Sequence, residues 1–190
     1  SAHFFQQHWE VCGEEVTEAV IGIVEGNESA ECINNTLLVL IPKVKNPTPL
    51  SQFRLISLCN VLYKIASKVL ALRLRPILDE VIAEEQSAFV PGRLITDNVV
   101  VAFESVHTMR RRKKGKNYTC AVKLDMMKAY DRVEWHFLQA MLLKLGFDAN
   151  LVRLIMKCVT SVRFSVRVNG ELQPYFNPSR GLRQGCWYPP

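Results

Sequence analysis

The 190-residue sequence lacks a long apolar run and lacks the short motifs of several large enzyme classes. Its longest apolar stretch, residues 37–42, has the length of a buried strand, whereas a membrane helix needs about 20 apolar residues. It contains no H-E-x-x-H pair, no G-x-x-x-x-G-K-[ST] loop and no G-x-S-x-G elbow. The sequence therefore does not indicate a zinc peptidase, a P-loop nucleotidase, an α/β-hydrolase or a membrane-spanning protein.

The six cysteines show neither a C-x-x-C pair nor the spacing of zinc ligands. The first 42 residues contain no Lys or Arg, so the basic segment that begins a secretory signal peptide is missing. We therefore expect an intracellular protein that is not secreted and whose thiols stay free in a reducing compartment.

Charge is distributed unevenly along the chain. The first 42 residues contain seven Glu and no basic residue, whereas all 24 Lys and Arg follow with the other 11 acidic residues, which gives net charges of −7 and +13. A basic excess of this size indicates a polyanionic partner, of which nucleic acid is the commonest. The run of six cations over 110–116 either contacts phosphates or forms a solvated loop, and both interpretations stay open.

Residue periodicity predicts a protein of mixed α and β structure. Apolar residues at helical spacing predict helices over 10–26, 61–78, 96–109, 133–145 and 151–159. Short apolar or alternating runs predict strands over 36–41, 118–124 and 162–168, and an Asn-Gly turn returns the last of these through 171–176. The order of these elements is typical of an α+β or α/β fold.

One carboxylate directly follows the predicted strand over 118–124 and so would lie at the rim of a sheet. Asp125 could bind Mg²⁺ there, because this ion takes one or two protein carboxylates and adds water and phosphate oxygens, or it could simply close the strand. Asp131 precedes a predicted helix and has Glu134 three residues later, which is the spacing of a capping box. We therefore expect Asp131 and Glu134 to act as a structural cap.

Four sequence blocks resemble, in order, the motifs of reverse transcriptases of non-LTR (LINE-type) retrotransposons, and the plant branch is most similar. Residues 123–133, K-L-D-M-M-K-A-Y-D-R-V, resemble the first catalytic palm motif. Residues 40–43 with 53–65 resemble a fingers segment, residues 86–93 resemble a template-contacting loop, and residues 180–185 resemble the next palm motif.

The resemblance implies an α+β fold that is an incomplete right-hand polymerase, with the fingers and the first part of the palm. Residues 1–36 would form an acidic helical leader, residues 37–117 a fingers-like region, and residues 118–190 a partial palm that stops before the family's Asp-Asp hairpin.

The resemblance also implies contacts with metal and nucleotide. Asp125 would be the catalytic residue and would bind Mg²⁺ (or Mn²⁺) together with the main-chain carbonyl of Met126. Tyr130 would lie under the nucleotide sugar, where an aromatic ring would clash with a 2′-OH and favour deoxynucleotides. Lys43 and Arg54 resemble the fingers residues that hold the triphosphate through charge-assisted hydrogen bonds.

A template path is implied as well. Gln86, Phe89 and Arg93 would lie along the template, and Gln184 resembles a residue that touches both nucleotide and template. The implied partners are an RNA template, a DNA primer and deoxynucleoside triphosphates, with no membrane. The expected location is the nucleus or the cytoplasm.

One departure from the family pattern leads us to expect that this chain does not polymerise by itself. The sequence has no Asp-Asp pair, although two-metal nucleotidyl transfer needs a second carboxylate set. Residues 186–190, C-W-Y-P-P, stand where the family has D-P-L-S-P. The expected function is a fragment of an RNA-directed DNA polymerase. The alternatives are a non-catalytic nucleic-acid-binding remnant and a group II intron maturase-like reverse transcriptase.

Overall fold

The structure is a computed structural model that describes residues 2–112 and 119–183. Its helices are α1 (Ala2–Gln7), α2 (Trp9–Glu25), α3 (Val61–Leu74), α4 (Leu78–Val81), α5 (Ile95–Arg111), α6 (Trp135–Lys144) and α7 (Ala149–Thr160). Its strands are β1 (Asn35–Pro42), β2 (Phe53–Cys59), β3 (Arg163–Val168) and β4 (Glu171–Leu172). The fold is therefore mixed α and β, as the periodicity predicts. In the part of the chain described, no helix has the length and apolar character needed to cross a membrane.

The chain divides into two compact units. The sheet unit consists of Ser1–Leu70 with Lys128–Pro190, and the middle unit consists of Ala71–Met127. The sheet unit is thus assembled from both ends of the chain. The leader, fingers-like and palm regions were defined from sequence motifs, do not coincide with these units and stay a prediction.

The four strands form one sheet in the sheet unit, in the order β2-β1-β3-β4. β1 pairs antiparallel with β2 along its length, and the pairing ends with Pro42 opposite Phe53. β1 also pairs in parallel with β3, which returns antiparallel into β4. Asn169 and Gly170 have φ values of 51° and 90°, the positive values that a tight two-residue hairpin of this type requires.

One apolar cluster forms the core of the sheet unit. It joins one face of α2, one face of α3 and the end of α7, and its buried members are Val16, Val20, Ile23, Val24, Ala30, Tyr63, Ala66, Leu70 and Cys158. The α2 members recur at the three- and four-residue spacing of a helical face, which explains the helix predicted there. The helix ends where Gly26 takes a φ of 83°.

The strand predicted over 118–124 is wrong for the residues that the structure describes. Residues 119–126 have no regular secondary structure, and all of them are exposed. A short apolar run becomes a strand only when another strand supplies hydrogen-bond partners and a covered face. The four strands of the sheet unit pair with one another instead, and β2, which is not predicted, is among them.

The capping box predicted from Asp131 and Glu134 is also wrong. Asp131 lies inside a short 3-10 turn, Ala129–Arg132, and the residue that precedes α6 is Glu134. The Glu134 side chain makes no capping hydrogen bond, and its Oε1 instead accepts a hydrogen bond from Arg180 at 3.2 Å. Because the helix begins later than a capping box requires, Asp131 is not at the capping position.

The cysteines agree with the expected free thiols at four positions. Cys12, Cys32, Cys120 and Cys158 are free. Cys59 is disulfide-bonded, so the expectation of free thiols is wrong for this residue.

Candidate active site

Lys43 and Arg54 lie at the same end of the β1–β2 hairpin. Lys43 directly follows β1, and Arg54 is the second residue of β2, opposite Ile41. The Lys43 amide donates to the Gln52 carbonyl at 2.8 Å, and its Nζ donates to the Ser51 carbonyl at 3.1 Å. Both cationic side chains are exposed. The structure thus brings these two predicted triphosphate contacts together, open to an anionic ligand.

Residues 180–183, named here the docked segment, pack against the chain just before and at the start of α6. The Gly181 amide donates to the Val133 carbonyl at 2.8 Å. Trp135 Nε1 donates in return to the Gly181 carbonyl at 2.9 Å. Hydrogen bonds therefore join two of the recognised sequence blocks, which lie far apart in the chain.

Tyr130 takes part in the same contact through its main chain. Its carbonyl accepts a hydrogen bond from the Leu182 amide at 2.7 Å. Its side chain belongs to the 3-10 turn and is partly open to solvent, since the residue is 44% exposed. The docked segment thus holds the backbone of the predicted sugar-contacting residue and leaves its ring accessible.

Gly181 allows the close approach of the docked segment, and its replacement should undo it. Gly181 has a φ of +89°, and a Cβ there would lie 3.1 Å from the Asp131 carbonyl oxygen. We expect Gly181→Ala to lower the free energy of unfolding by about 1–2 kcal/mol through backbone strain alone. The tight contact with Asp131 should add to that loss. Denaturant unfolding of the 190-residue chain measures it.

The matched control for this substitution is Gly146→Ala. Gly146 has a φ of +88°, and a Cβ there would meet no atom within 4 Å. The two substitutions carry the same backbone strain, so their difference isolates the contact with Asp131. Equal losses of stability in the two variants would contradict close packing of the docked segment.

Asp125 and Met126 lie in the exposed irregular stretch 119–126 of the middle unit. Within 2–112 and 119–183, no group of three or more His, Cys, Asp or Glu residues could hold a metal ion. A Mg²⁺ ion that also binds water and phosphate needs only one or two protein carboxylates. The exposed Asp125 carboxylate and the adjacent Met126 carbonyl therefore fit part of a metal site and do not form a complete one.

The loop over residues 82–93, named here the Arg93 loop, is held together by one guanidinium. Arg93 Nη1 donates to the Gln86 carbonyl at 2.9 Å and to the Ala83 carbonyl. Its Nη2 donates to a further main-chain carbonyl at 3.1 Å and forms an ion pair with Asp79 at 3.2 Å. The Arg93 side chain, 17% exposed, therefore organises the loop, and its contact with template stays a prediction.

Phe89 projects from the Arg93 loop in a strained conformation. Its φ is +67°, and the residue is 85% exposed. Such strain costs on the order of 1–3 kcal/mol and persists only where the surroundings fix the backbone. Asn98 of α5 helps to fix the backbone beside Phe89, because its Nδ2 donates to the Glu85 carbonyl and to Ser87 Oγ, both at 2.9 Å. An exposed aromatic ring on a fixed loop is a suitable surface for stacking on a nucleobase.

Arg183 enters a buried polar network in the sheet unit. Its Nη1 donates to Thr36 Oγ1 at 2.7 Å, and its Nη2 donates to Asn34 Oδ1. Its guanidinium carbon lies 4.0 Å from the centroid of the Tyr63 ring. Asn34 Nδ2 and the Tyr63 hydroxyl both donate to the Cys158 carbonyl at 3.0 Å. Asn34 and Thr36 are fully buried.

Burial governs the electrostatics of this network. It lowers the pKa of the Arg183 guanidinium, while the nearby Tyr63 acts in the opposite direction. Burial also raises the pKa of the Tyr63 hydroxyl and of the Cys158 thiol, and the charge of Arg183 partly offsets both shifts. The described residues provide no carboxylate within ion-pair distance of Arg183, so the cation is held by neutral partners and a ring face.

Sequence reasoning missed the roles of Arg183, Asn34 and Asn98. Arg183 lies inside a recognised block, which is the signal that could have drawn attention to it. The two asparagines carry no comparable signal, because the hydrogen-bond partners of each lie outside its own secondary-structure element.

One predicted site residue and part of the basic run lie outside the residues that the structure describes. Gln184 lies outside the described residues, as do positions 113–116 of the basic run. Arg110 and Arg111 end α5, Arg112 follows it, and all three are exposed. Basic side chains at a helix C-terminus interact favourably with the helix dipole. Contact of this run with phosphates stays a prediction.

The chain matches one protein family over the region that contains the four blocks. Residues 41–190 match the family described as "Reverse transcriptase (RNA-dependent DNA polymerase)". This match covers most of the chain. The chain therefore belongs to the reverse transcriptase family.

Two relatives narrow the class further. The chain is 32% identical over 183 residues to the "Transposon TX1 uncharacterized 149 kDa protein" of Xenopus laevis, which covers 96% of this chain and 14% of that protein. It is 28% identical over 150 residues to the "Retrovirus-related Pol polyprotein from type-1 retrotransposable element R2" of Popillia japonica. This alignment covers 77% of this chain and 20% of that protein. The prediction of a LINE-type reverse transcriptase is confirmed, and its plant-like branch stays a prediction. The chain spans a fifth or less of the length of these relatives.

Proposed function

We propose that this chain acts within a longer RNA-directed DNA polymerase, as the fingers and the first part of the palm of a right-hand polymerase. The observation that carries the proposal is the match over 41–190, within which Lys43 and Arg54 lie together on one hairpin. The reaction is attack of a primer 3′-OH on the α-phosphate of a deoxynucleoside triphosphate, which releases pyrophosphate. The family depends on divalent metal, and we propose Mg²⁺ (or Mn²⁺) as the ion.

Asp125 is the proposed catalytic metal ligand, with the Met126 carbonyl beside it. A divalent ion bound there would neutralise charge that develops on the phosphate oxygens. Because the sequence contains no adjacent aspartates, the second carboxylate set would come from elsewhere in the longer protein. The 190-residue chain is therefore expected to bind nucleic acid without extending a primer.

The proposed nucleotide contacts have distinct roles. Arg54 offers a planar fork that matches two phosphate oxygens, whereas Lys43 offers a compact charge, and both are exposed on the hairpin. The Tyr130 ring would lie under the sugar, and the main-chain bond from Leu182 fixes its backbone. Gln184 would touch both nucleotide and template.

The proposed template contact centres on the Arg93 loop. Phe89 would stack on a template base, which is a sequence-tolerant contact because every base has an aromatic face. The Gln86 side chain donates to the Ala88 carbonyl at 3.1 Å, which stabilises the loop beside Phe89. Arg93 fixes the loop that presents the ring, in addition to any contact with phosphate.

Phe89→Ala is expected to weaken RNA binding by the 190-residue chain. Base–aromatic stacking contributes about 1–3 kcal/mol for each base, which corresponds to roughly a 5- to 150-fold loss of affinity. Fluorescence anisotropy with a labelled single-stranded RNA measures the affinity, at one fixed salt concentration because binding to phosphates depends on salt. Phe89→Tyr retains the ring and is expected to retain the affinity.

The matched control for Phe89 is Phe137→Ala. Phe137 is an aromatic residue in α6 that is 60% exposed and has no proposed contact with nucleic acid. Equal losses in the two alanine variants, or no loss in either, would contradict stacking on Phe89. Binding that responds to salt alone and shows no Mg²⁺ effect requiring Asp125 would favour the non-catalytic nucleic-acid-binding remnant.

A further inference from the structure

Arg183 connects the docked segment to the interior of the sheet unit. The main chain immediately before it bonds to Tyr130 and Val133, as Leu182 and Gly181 donate to their carbonyls. Its own side chain turns inward to the start of β1 and to α3. One residue therefore links the segment that holds Tyr130 to the core.

The network that receives Arg183 is complete. Asn34 Oδ1 accepts from Arg183, and its Nδ2 donates to the Cys158 carbonyl and to Ser161 Oγ, the latter at 2.7 Å. Thr36 Oγ1 accepts from Arg183 and donates to the Asn34 carbonyl at 3.3 Å. Cys158 lies in the last turn of α7, where carbonyls lack helical partners. No buried side-chain nitrogen or oxygen of the described residues lacks a hydrogen bond.

A partly buried cation whose side chain contacts neutral partners requires an explanation. Burying a charge costs much more than burying an apolar side chain, so core packing alone would favour a residue such as leucine. Arg183 makes several contacts whose geometry is fixed by the planar guanidinium. Its two Nη atoms donate to separate acceptors on β1 and just before it, and its flat face rests on the Tyr63 ring. A lysine has one point of charge and cannot make these contacts together.

We propose that Arg183 is a positioning residue for the nucleotide site. Its side chain anchors the docked segment, the docked segment fixes the main chain of Tyr130, and the position of the Tyr130 ring under the nucleotide sugar follows. The inference rests on the proposed function, because it requires that this ring meets a nucleotide. Arg183 acts through Tyr130 and not on the triphosphate, since both Nη atoms and one face of its guanidinium are already engaged.

The anchoring step can be tested in the 190-residue chain by amide hydrogen exchange. The two reporters are the Gly181 and Leu182 amides, which donate to main-chain carbonyls only while the segment is docked. Arg183→Gln is expected to accelerate exchange at these two amides about tenfold or more, beyond any change in the β1–β2 amides. Arg180→Gln is the matched control, because Arg180 lies in the same segment and its ion pair with Glu134 is exposed.

The positioning step is tested in the longer, active polymerase by single-nucleotide incorporation. The ratio of kcat/KM for a deoxynucleotide to that for the matching ribonucleotide reports on the ring of Tyr130. Arg183→Gln is expected to lower this ratio about tenfold, because small displacements of a positioned group have large kinetic effects. Arg183→Lys should not restore the ratio, and Arg180→Gln should leave it within about twofold of wild type.

Each result supports or overturns a defined part of the proposal. Unchanged exchange at Gly181 and Leu182 in Arg183→Gln overturns the anchor. Faster exchange with an unchanged deoxy-to-ribo ratio, or full rescue by Arg183→Lys, overturns the positioning role.

Two other outcomes are an inactive wild-type polymerase and an Arg183→Gln variant that does not fold. No incorporation by the wild-type polymerase overturns the proposed function, while the exchange result still supports or overturns the anchor. If Arg183→Gln does not fold, Thr36→Val removes one acceptor at nearly the same shape. Thr36→Val should then accelerate exchange at the Gly181 and Leu182 amides and lower the deoxy-to-ribo ratio of kcat/KM, each by a smaller factor than Arg183→Gln. No change in either quantity would overturn the proposal.

Discussion

Asp125→Asn is expected to reduce primer extension by the longer polymerase at least about a thousandfold. An amide is a much poorer ligand for a hard divalent cation than a carboxylate is. A divalent ion held by Asp125 would contribute several kcal/mol of charge stabilisation in the transition state, and a loss of about 4 kcal/mol corresponds to three powers of ten in rate. Single-turnover incorporation at saturating nucleotide measures this, because it separates the chemical step from product release.

The control for this substitution is Asp97→Asn. Asp97 is an exposed carboxylate in the first turn of α5, in the same compact unit as Asp125, and has no proposed contact with metal. Its rate is expected to equal that of the wild type. If Asp125→Asn retained a rate close to that of Asp97→Asn, the metal would be held by other residues and the assignment of Asp125 would be wrong.

Asn34→Ala is expected to lower the free energy of unfolding by about 3–5 kcal/mol. The substitution removes the acceptor of Arg183 Nη2 and the donor to both the Cys158 carbonyl and Ser161 Oγ. Each buried polar group left without a partner costs about 1–3 kcal/mol, and a charged one costs more. Domains are typically stable by only about 5–15 kcal/mol, so this is a large part of the total. Urea unfolding of the 190-residue chain gives the value.

Asn27→Ala is the matched control for the buried asparagine. The Asn27 side chain is exposed and donates to Glu25 at 3.1 Å. Its removal is expected to change stability by no more than about 0.5 kcal/mol. Similar losses at positions 34 and 27 would show that the Arg183 network does not stabilise the fold.

The helices with clear apolar spacing could be predicted from the sequence. α2, α6 and α7 lie close to the predicted ranges, and the Asn169-Gly170 hairpin is confirmed. Local sequence determines these elements, because helical spacing and turn residues act within a few positions.

β1 and β3 lie within one residue of the predicted ranges at each end, whereas β2 is not predicted and the strand predicted over 118–124 is wrong for the described residues. A strand forms only where another strand pairs with it, and local sequence does not contain that information. In β2 the polar Ser57 is buried, whereas the apolar Leu55 and Leu58 are exposed, so apolar character does not mark the buried positions of this strand. In the stretch that follows residue 118 a strand is predicted and none forms. Its composition favours a strand, but residues 119–126 have no regular secondary structure.

The resemblance predicts which residues form the candidate site. It does not predict the hydrogen bonds and ring contacts that hold these residues in place. The motifs named Lys43 and Arg54, and the pairing of β1 with β2 explains why they lie together. The link from Arg183 to Asn34 and Tyr63 joins residues more than a hundred positions apart, which no local pattern contains. Similarly, the motif named Arg93 as a template contact, but only the structure shows that it holds its own loop.

Primer extension is the most direct measurement of the central claim, which is RNA-directed DNA synthesis. The assay uses a purified longer protein that contains this chain, a DNA primer annealed to an RNA template, and deoxynucleoside triphosphates. We predict extension that requires Mg²⁺ or Mn²⁺ and that stops when the metal is chelated. No extension with either ion, or extension that continues after chelation, would contradict the account.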